Sequence, residues 1–220
     1  MSETAAPTHY PTAGAKCADL VVHIVGLAFA LFGGGTLLGL SVGAGGGGRI
    51  ASVAVYAVGM ALMLGCSLAY NFGKAPWRPL LRRFDHAGIF LMIAASYTPF
   101  TTQSLTGGWA LWMTLGVWTL ALLGVAGKLF LPGLGRGFWV ALYLALGWAV
   151  LVALRPMIDG LSWVALLLLG IGGLLYSTGV IFYLMKRLRF RRAIWHGHVV
   201  AAAATQYAAV MVGVVLAGTN

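Results

Sequence analysis

The sequence predicts an all-α integral membrane protein: a bundle of seven transmembrane helices, N-terminus in the cytoplasm and C-terminus outside. Three observations carry that expectation. Of the 220 residues 60% are hydrophobic and only 8% are charged, whereas a soluble domain has about a quarter charged residues. A soluble fold of this length has no core large enough for so much apolar surface, so the bilayer is the solvent. The apolar residues fall into seven runs, each close to the ~20 residues that cross the hydrocarbon, and the basic residues cluster between those runs on one side.

The runs are 19–42, 50–72, 86–105, 108–131, 137–154, 161–185 and 193–217. Residues 1–17 read as a flexible polar tail, and 18–220 as the membrane domain. No charged segment of signal-peptide type precedes the first run, so that run is expected to be a retained span. Gly43 to Gly48 break the first run from the second, and Pro76 and Pro79 follow the second. Gly107 and Gly108 turn the chain between the third and fourth. Pro132, Gly133 and Gly135 mark the next break, and Arg155-Pro156 the one after it. Gly33, Gly34, Gly35 and Gly39 in the first run, and Gly170, Gly172 and Gly173 in the sixth, are expected to let helices approach closely. Gly45 to Gly48 lead into Arg49 without the GK[ST] of a phosphate loop.

Orientation follows from charge. One side holds Lys16, then Lys74, Arg78, Arg82 and Arg83, then Lys128 and Arg136, then Lys186, Arg187, Arg189, Arg191 and Arg192. The other holds Arg49 and Arg155. This asymmetry puts the basic side in the cytoplasm. The net charge of +10 therefore reports topology and gives no reason to expect nucleic acid; membrane lipids are the expected partners. Cys17 and Cys66 make no CxxC pair, which argues against redox chemistry.

Ionisable residues inside a membrane domain are expensive and point to function. Ser67 and Asn71 lie four apart near the inner end of the second run, on one helical face. Asp85 and His86 open the third run, and Arg192, His196 and His198 open the seventh. Gln206 lies ten residues beyond His196, roughly 15 Å deeper at 1.5 Å per residue. Simpler roles stand beside these: Asp85 and His86 as caps of a helix start, His196 and His198 as headgroup contacts. Asp19 reads as an acid suited to the start of the first helix, His23 as a packed histidine, and His9 as a solvated tail residue.

SLAYN (67–71), RRFDHAGIFLMIAASYTPF (82–100), GGLLYSTGVIFY (172–183), IWHGHVVAAAATQY (194–207) and ADLVVHIVGLAFAL (18–31) resemble the hemolysin III family. This is the bacterial branch of the adiponectin and progestin receptor superfamily. The resemblance implies a seven-helix, N-in bundle in the bacterial cytoplasmic (inner) membrane. It implies a zinc ion held near the cytoplasmic side by three histidines, one closing an SxxxH motif and two forming HxxxH. A serine and an aspartate, at the positions of Ser67 and Asp85, stand near the metal and its water as catalytic positions. Some members look like hydrolases of ceramide-type lipids, chemistry that suits a zinc-bound water.

This chain departs from that pattern. The residue closing SxxxH is Asn71, the first of HxxxH is Arg192, and a further histidine position is Gln206. Of the three ligand positions only His196 is kept. Asn71 is neutral, and Arg192 is always protonated and cannot ligate. The family-type site is thus expected to be absent, with no resident cofactor. Arg192 is expected to stand in for the metal through an ion pair with Asp85, with Ser67, Asn71 and His196 as hydrogen-bonding neighbours. The alternative is a rearranged zinc site drawing on His86, His198, Asp85 and His196. Three functions follow: a catalytically silent lipid-binding or membrane-homeostasis protein, a zinc-dependent membrane hydrolase of amide-linked lipids, or a channel. A channel needs a continuous polar lining, and only Thr114, Ser177, Thr178, Thr205 and Gln206 lie deep in the runs.

Overall fold

The computed structural model describes residues 9–131 and 133–217. The expectation for residues 1–8 of the tail lies outside the described residues. Eight α-helices follow one another: α1 (Ala13–Ala44), α2 (Gly47–Phe72), α3 (Arg78–Gln103), α4 (Gly107–Phe130), α5 (Arg136–Gly147), α6 (Leu154–Gly160), α7 (Trp163–Leu184) and α8 (Arg191–Val210). A 3-10 stretch, Ala149–Ala153, joins α5 to α6, and a π-helical turn, Met211–Val215, extends α8. There is no strand among the described residues.

Each predicted run is helical. Among the described residues six rods are long and apolar enough to cross a membrane, counting Arg136–Gly160 as one. The exception is α3. It has 26 residues, enough for roughly 39 Å at 1.5 Å per residue. Its polarity sets it apart, with Arg78, Arg82, Arg83, Asp85 and His86 near its start and Thr101, Thr102 and Gln103 at its end. Thr101 is buried and Asp85 and His86 are half-buried because α3 packs against α2 and α4, its main neighbours, whereas Arg82, Arg83, Thr102 and Gln103 are exposed at its two ends. A helix clad by others can carry polar groups that lipid would not accept.

Local chemistry explains the boundaries. Thr12 caps α1 by accepting from the Ala15 N–H at 3.1 Å, and Ser162 caps α7 through the Ala165 N–H. The turn between α1 and α2 needs φ of 73° at Gly45 and 88° at Gly46, values that only glycine adopts without strain. The tail was expected to end at residue 17, but α1 already begins at Ala13. His9, expected to be solvated, is half-buried against the bundle together with Tyr10.

The interior holds Leu37, Val53, Tyr56, Met60 and Phe100, all fully buried. Large apolar side chains also face outward, among them Phe32 at 80% exposure and Trp163 at 79%. A surface that apolar suits lipid tails rather than water. Helix packing uses some of the expected glycines. Gly34 meets Ala57, Gly172 meets Gln206 and Gly173 meets Trp148. Gly35, Gly39 and Gly170 face open space and bring no helices together. The tightest α2–α3 approach was not anticipated: a Cβ on Gly59 would stand 2.5 Å from the Ala95 Cβ.

That contact cannot yield by rotating a flexible side chain. Gly59→Leu is expected to destabilise the bundle by about 1–3 kcal/mol, the ordinary cost of overpacking. Gly35→Ala should be nearly silent. Thermal unfolding of the two variants in one detergent checks both.

Candidate functional site at the polar end of the bundle

The starts of α1, α3 and α8 and the end of α2 meet at one end of the bundle. Helical spacing aims their polar residues inward. Asp19 and His23 lie one turn apart on α1, Ser67 and Asn71 one turn apart on α2, and Arg192 and His196 one turn apart on α8.

Asp19 sits at the centre with no exposed surface. One carboxylate oxygen accepts from His196 Nδ1 at 2.6 Å, and the other accepts from the Tyr10 hydroxyl. His23 Nδ1 lies 2.8 Å from the Asp19 backbone carbonyl. A carbonyl can only accept, so this nitrogen carries the proton. His23 Nε2 then holds the lone pair and accepts from the Ser67 hydroxyl at 3.2 Å. The His23 and His196 rings meet edge to face at 4.3 Å between centroids.

Arg192 continues the network. Its Nη1 donates to Asn71 Oδ1 at 2.9 Å, and its Nη2 lies 3.3 Å from His9 Nδ1. Asn71 Nδ2 donates back to the Ser67 carbonyl at 3.0 Å. Because Arg192 can only donate, His9 Nδ1 must accept, so His9 Nε2 bears the proton and donates to Asn71 Oδ1 at 3.2 Å. Tyr10 lies under the guanidinium at 5.4 Å and stacks on Phe72.

The expected Asp85–Arg192 ion pair is not formed. Among the described residues the Asp85 carboxylate has an ion-pair contact only with His86, at 4.0 Å. Arg192 and His196 are near enough to stabilise its charge without touching it. The physical reason is competition: Asn71 and His9 offer acceptors that fit the guanidinium fork, and Asn71 is fully buried. His86 turns instead to α4, where Lys128 Nζ lies 3.5 Å from its Nδ1. His198 does not join the centre. It bonds to the Ile194 carbonyl and packs its ring on Phe182 of α7.

Below the polar end lies a cavity of about 720 Å³. Ser67, Asn71, Asp85, His86, Arg192, His196 and Gln206 all line it, and His198 does not. Of the expected site residues the structure thus gathers all but His198. The residues missed were Asp19 and His23. The signal was present in the D-x-x-x-H spacing at 19–23, which puts both side chains on one face of α1.

Two sets of side chains bear on metal binding. At the three positions where the resemblance places ligands, Arg192 and Asn71 bond directly to each other, and a guanidinium repels a cation. That set does not fit zinc. The second set is Asp19, His23 and His196, whose donor atoms all lie within 4.8 Å of one another. One carboxylate and two imidazoles suit zinc, so zinc is compatible with this trio.

Residues 16–207 match the family described as Haemolysin-III related. The chain is similar to the hemolysin-3 homolog of Bacillus subtilis, 30% identical over 197 residues, covering 89% of this chain and 92% of that protein. It is similar to hemolysin-3 of Bacillus cereus, 34% identical over 165 residues, with 74% of each covered. Human monocyte to macrophage differentiation factor is 31% identical over 129 residues, covering 57% of this chain and 52% of that protein.

His9 provides a pH test of the docked N-terminal segment. Burial, followed by repulsion from Arg192 and Arg78, holds its imidazole well below the ordinary 6.5, at about 4, against the opposing pull of Asn71 and Asp19. An undocked His9 takes up a proton that the docked one refuses. Docking is therefore fully favoured above pH 6.5 and weakens as pH falls towards 4. Limited proteolysis near Tyr10 should accelerate over that window, and His9→Gln should flatten the profile.

Proposed function

Because the chain belongs to the Haemolysin-III related family of multi-pass membrane proteins, we propose that it is a metal-free, lipid-binding member. In this reading it sits in the bacterial cytoplasmic membrane with its polar end on the cytoplasmic side. The basic residues gathered at that end support the orientation. The role is binding or membrane homeostasis, without hydrolysis.

One observation carries the reading: the 2.9 Å bond from Arg192 to Asn71. It joins two of the three positions at which the family resemblance expects zinc ligands. A guanidinium there fills the space and supplies a fixed positive charge near Asp85. Ser67 keeps its family position but is held by Asn71 and His23. No metal-activated water is required for that arrangement. The cavity itself falls in the range of small-molecule sites, about 300–1,000 Å³.

A second reading is favoured by the Asp19, His23 and His196 trio. There the protein is a zinc-dependent hydrolase of amide-linked lipids with a relocated metal. Ser67 and Asp85 would keep their positions beside it. Metal bound to the trio would supply an activated water.

Metal analysis of the purified protein separates the two. The metal-free reading expects zinc well below one per chain in the wild type. It also expects zinc near one per chain in the double variant Asn71→His with Arg192→His, which restores the three-histidine pattern. Stoichiometric zinc in the wild type that is lost in Asp19→Ala would reject the first reading in favour of the second.

A further inference from the structure

The cavity has a charge problem that the polar network does not solve. Arg82 and Arg83 of α3, Lys128 of α4, Arg136 of α5, and Arg191 and Arg192 of α8 all line it. The lone acid among its lining residues is Asp85. Among the described residues no lysine or arginine makes an ion pair with a carboxylate; each such contact involves a histidine. Arg82 is near enough to Lys128 to repel it, and Arg136 near enough to repel Arg191.

Exposed arginines at a membrane surface ordinarily meet headgroups of the bilayer, and Arg82, Arg83 and Arg136 are exposed. Lys128 is different: it is 8% exposed, so the protein itself covers most of its side chain. Its ammonium lies 4.2 Å from the Trp139 ring centre and 5.8 Å from that of Tyr143. The guanidinium of Arg136 lies 5.5 Å from the Tyr183 ring centre. Aromatic faces hold these cations in place but leave their charge in excess. Asp85 is near enough to Lys128 to offset part of this charge, but six cations share that one acid and a buried charge short of counter-ions is costly, so the lining is shaped for an anion.

The rest of the cavity indicates what the anion is attached to. Away from the cations the walls are apolar, with Met92, Phe100, Leu166, Leu169 and Val199. Among the polar groups set into those walls, the Tyr176 hydroxyl is buried without a hydrogen-bond partner. Tyr176 precedes Tyr183 by seven residues on α7, about 10 Å further from the polar end at 1.5 Å per residue.

The geometry points to a binding site for a single-chain amphiphile with a phosphate headgroup. The phosphate sits among Lys128, Arg136, Arg82 and Arg191, the chain runs along the apolar walls, and Tyr176 meets a hydroxyl or ester below the headgroup. A phosphomonoester carries about −1.5 to −2 at neutral pH and three strong acceptor oxygens. It therefore answers several cations, where a carboxylate answers one. A cavity of 720 Å³ suits one acyl chain better than two. The inference rests on the lipid-binding reading and specifies its ligand class.

The test uses the purified full-length protein in detergent, reading quenching of the tryptophans that line the cavity. Four probes are compared: 1-oleoyl lysophosphatidate, monooleoylglycerol, oleate and inorganic phosphate. The inference expects lysophosphatidate to bind at least tenfold more tightly than each of the others, since one charge-assisted hydrogen bond is worth about a factor of ten. Lys128→Gln and Arg136→Gln should each weaken lysophosphatidate about tenfold and leave monooleoylglycerol unchanged. Arg136 is exposed, so its variant tests the idea even if Lys128→Gln fails to fold. Equal affinity for lysophosphatidate and monooleoylglycerol would overturn the phosphate site while leaving lipid binding intact. Inorganic phosphate binding as tightly as lysophosphatidate would overturn the amphiphile. Binding of none of the probes would overturn this inference and remove the support for the broader reading.

Discussion

A carboxylate that water cannot reach organises the polar end of this bundle. Asp19 is fully buried, and an unpaired charge in such a place is not tolerated. Its neighbours follow from that constraint. His196 must present a nitrogen to one oxygen, so α8 is drawn against α1. Tyr10 must reach the other oxygen, so the segment before α1 folds over the helix start. His23, one turn on, is fixed by the Asp19 backbone and so aims its second nitrogen at Ser67 of α2. One acid thereby ties the N-terminal segment, α1, α2 and α8 into one hydrogen-bonded unit. In a medium with no water to satisfy stray polar groups, that closure is what makes so polar a centre possible.

The substitutions at the ligand positions are consistent with one another rather than independent losses. A guanidinium at 192 offers only donors, so its neighbours must be acceptors. Asn71 supplies an oxygen where a histidine would present either a lone pair or a competing N–H. His9 supplies a lone pair through the tautomer that lets its other nitrogen serve the same asparagine. The amide of Asn71 then anchors to the Ser67 carbonyl. Each group satisfies the next, and the chain of bonds closes without a metal. Asp85 meets this closure only through Ser67, near the positive charge of Arg192 but not in contact with it.

Much of this was legible in the sequence, and the parts that were not share a cause. The helical rods follow from apolar run length, which is a local property, and the breaks follow from glycine and proline. The gathering of Ser67, Asn71, Asp85, Arg192 and His196 follows from charge asymmetry plus helical spacing. Asp19 and His23 were passed over because each has a sufficient local explanation, one as a helix-start acid and one as packing. Only the α1–α8 contact reveals that they share a partner. The expected Asp85–Arg192 pair failed for a related reason. Opposite charges at one depth look like partners until the acceptors on Asn71 and His9 are placed. The polarity of α3 is a third case, since its acceptance of Asp85 and His86 depends on the packing of α2 and α4 against it.

The two polar systems at this end therefore differ in kind. The network around Asp19 and Arg192 is short of neither donors nor acceptors, so it has little to gain from a ligand and much to lose from disturbance. It is a scaffold that fixes helix ends. The cation set around Lys128 has the opposite character. Its members are held by aromatic rings, repel one another, and find only Asp85 among the acids of the cavity wall. The rigidity of the first system and the unspent charge of the second are complementary. A binding site needs fixed walls as well as an interaction that the protein leaves unsatisfied, and this bundle places both within one cavity.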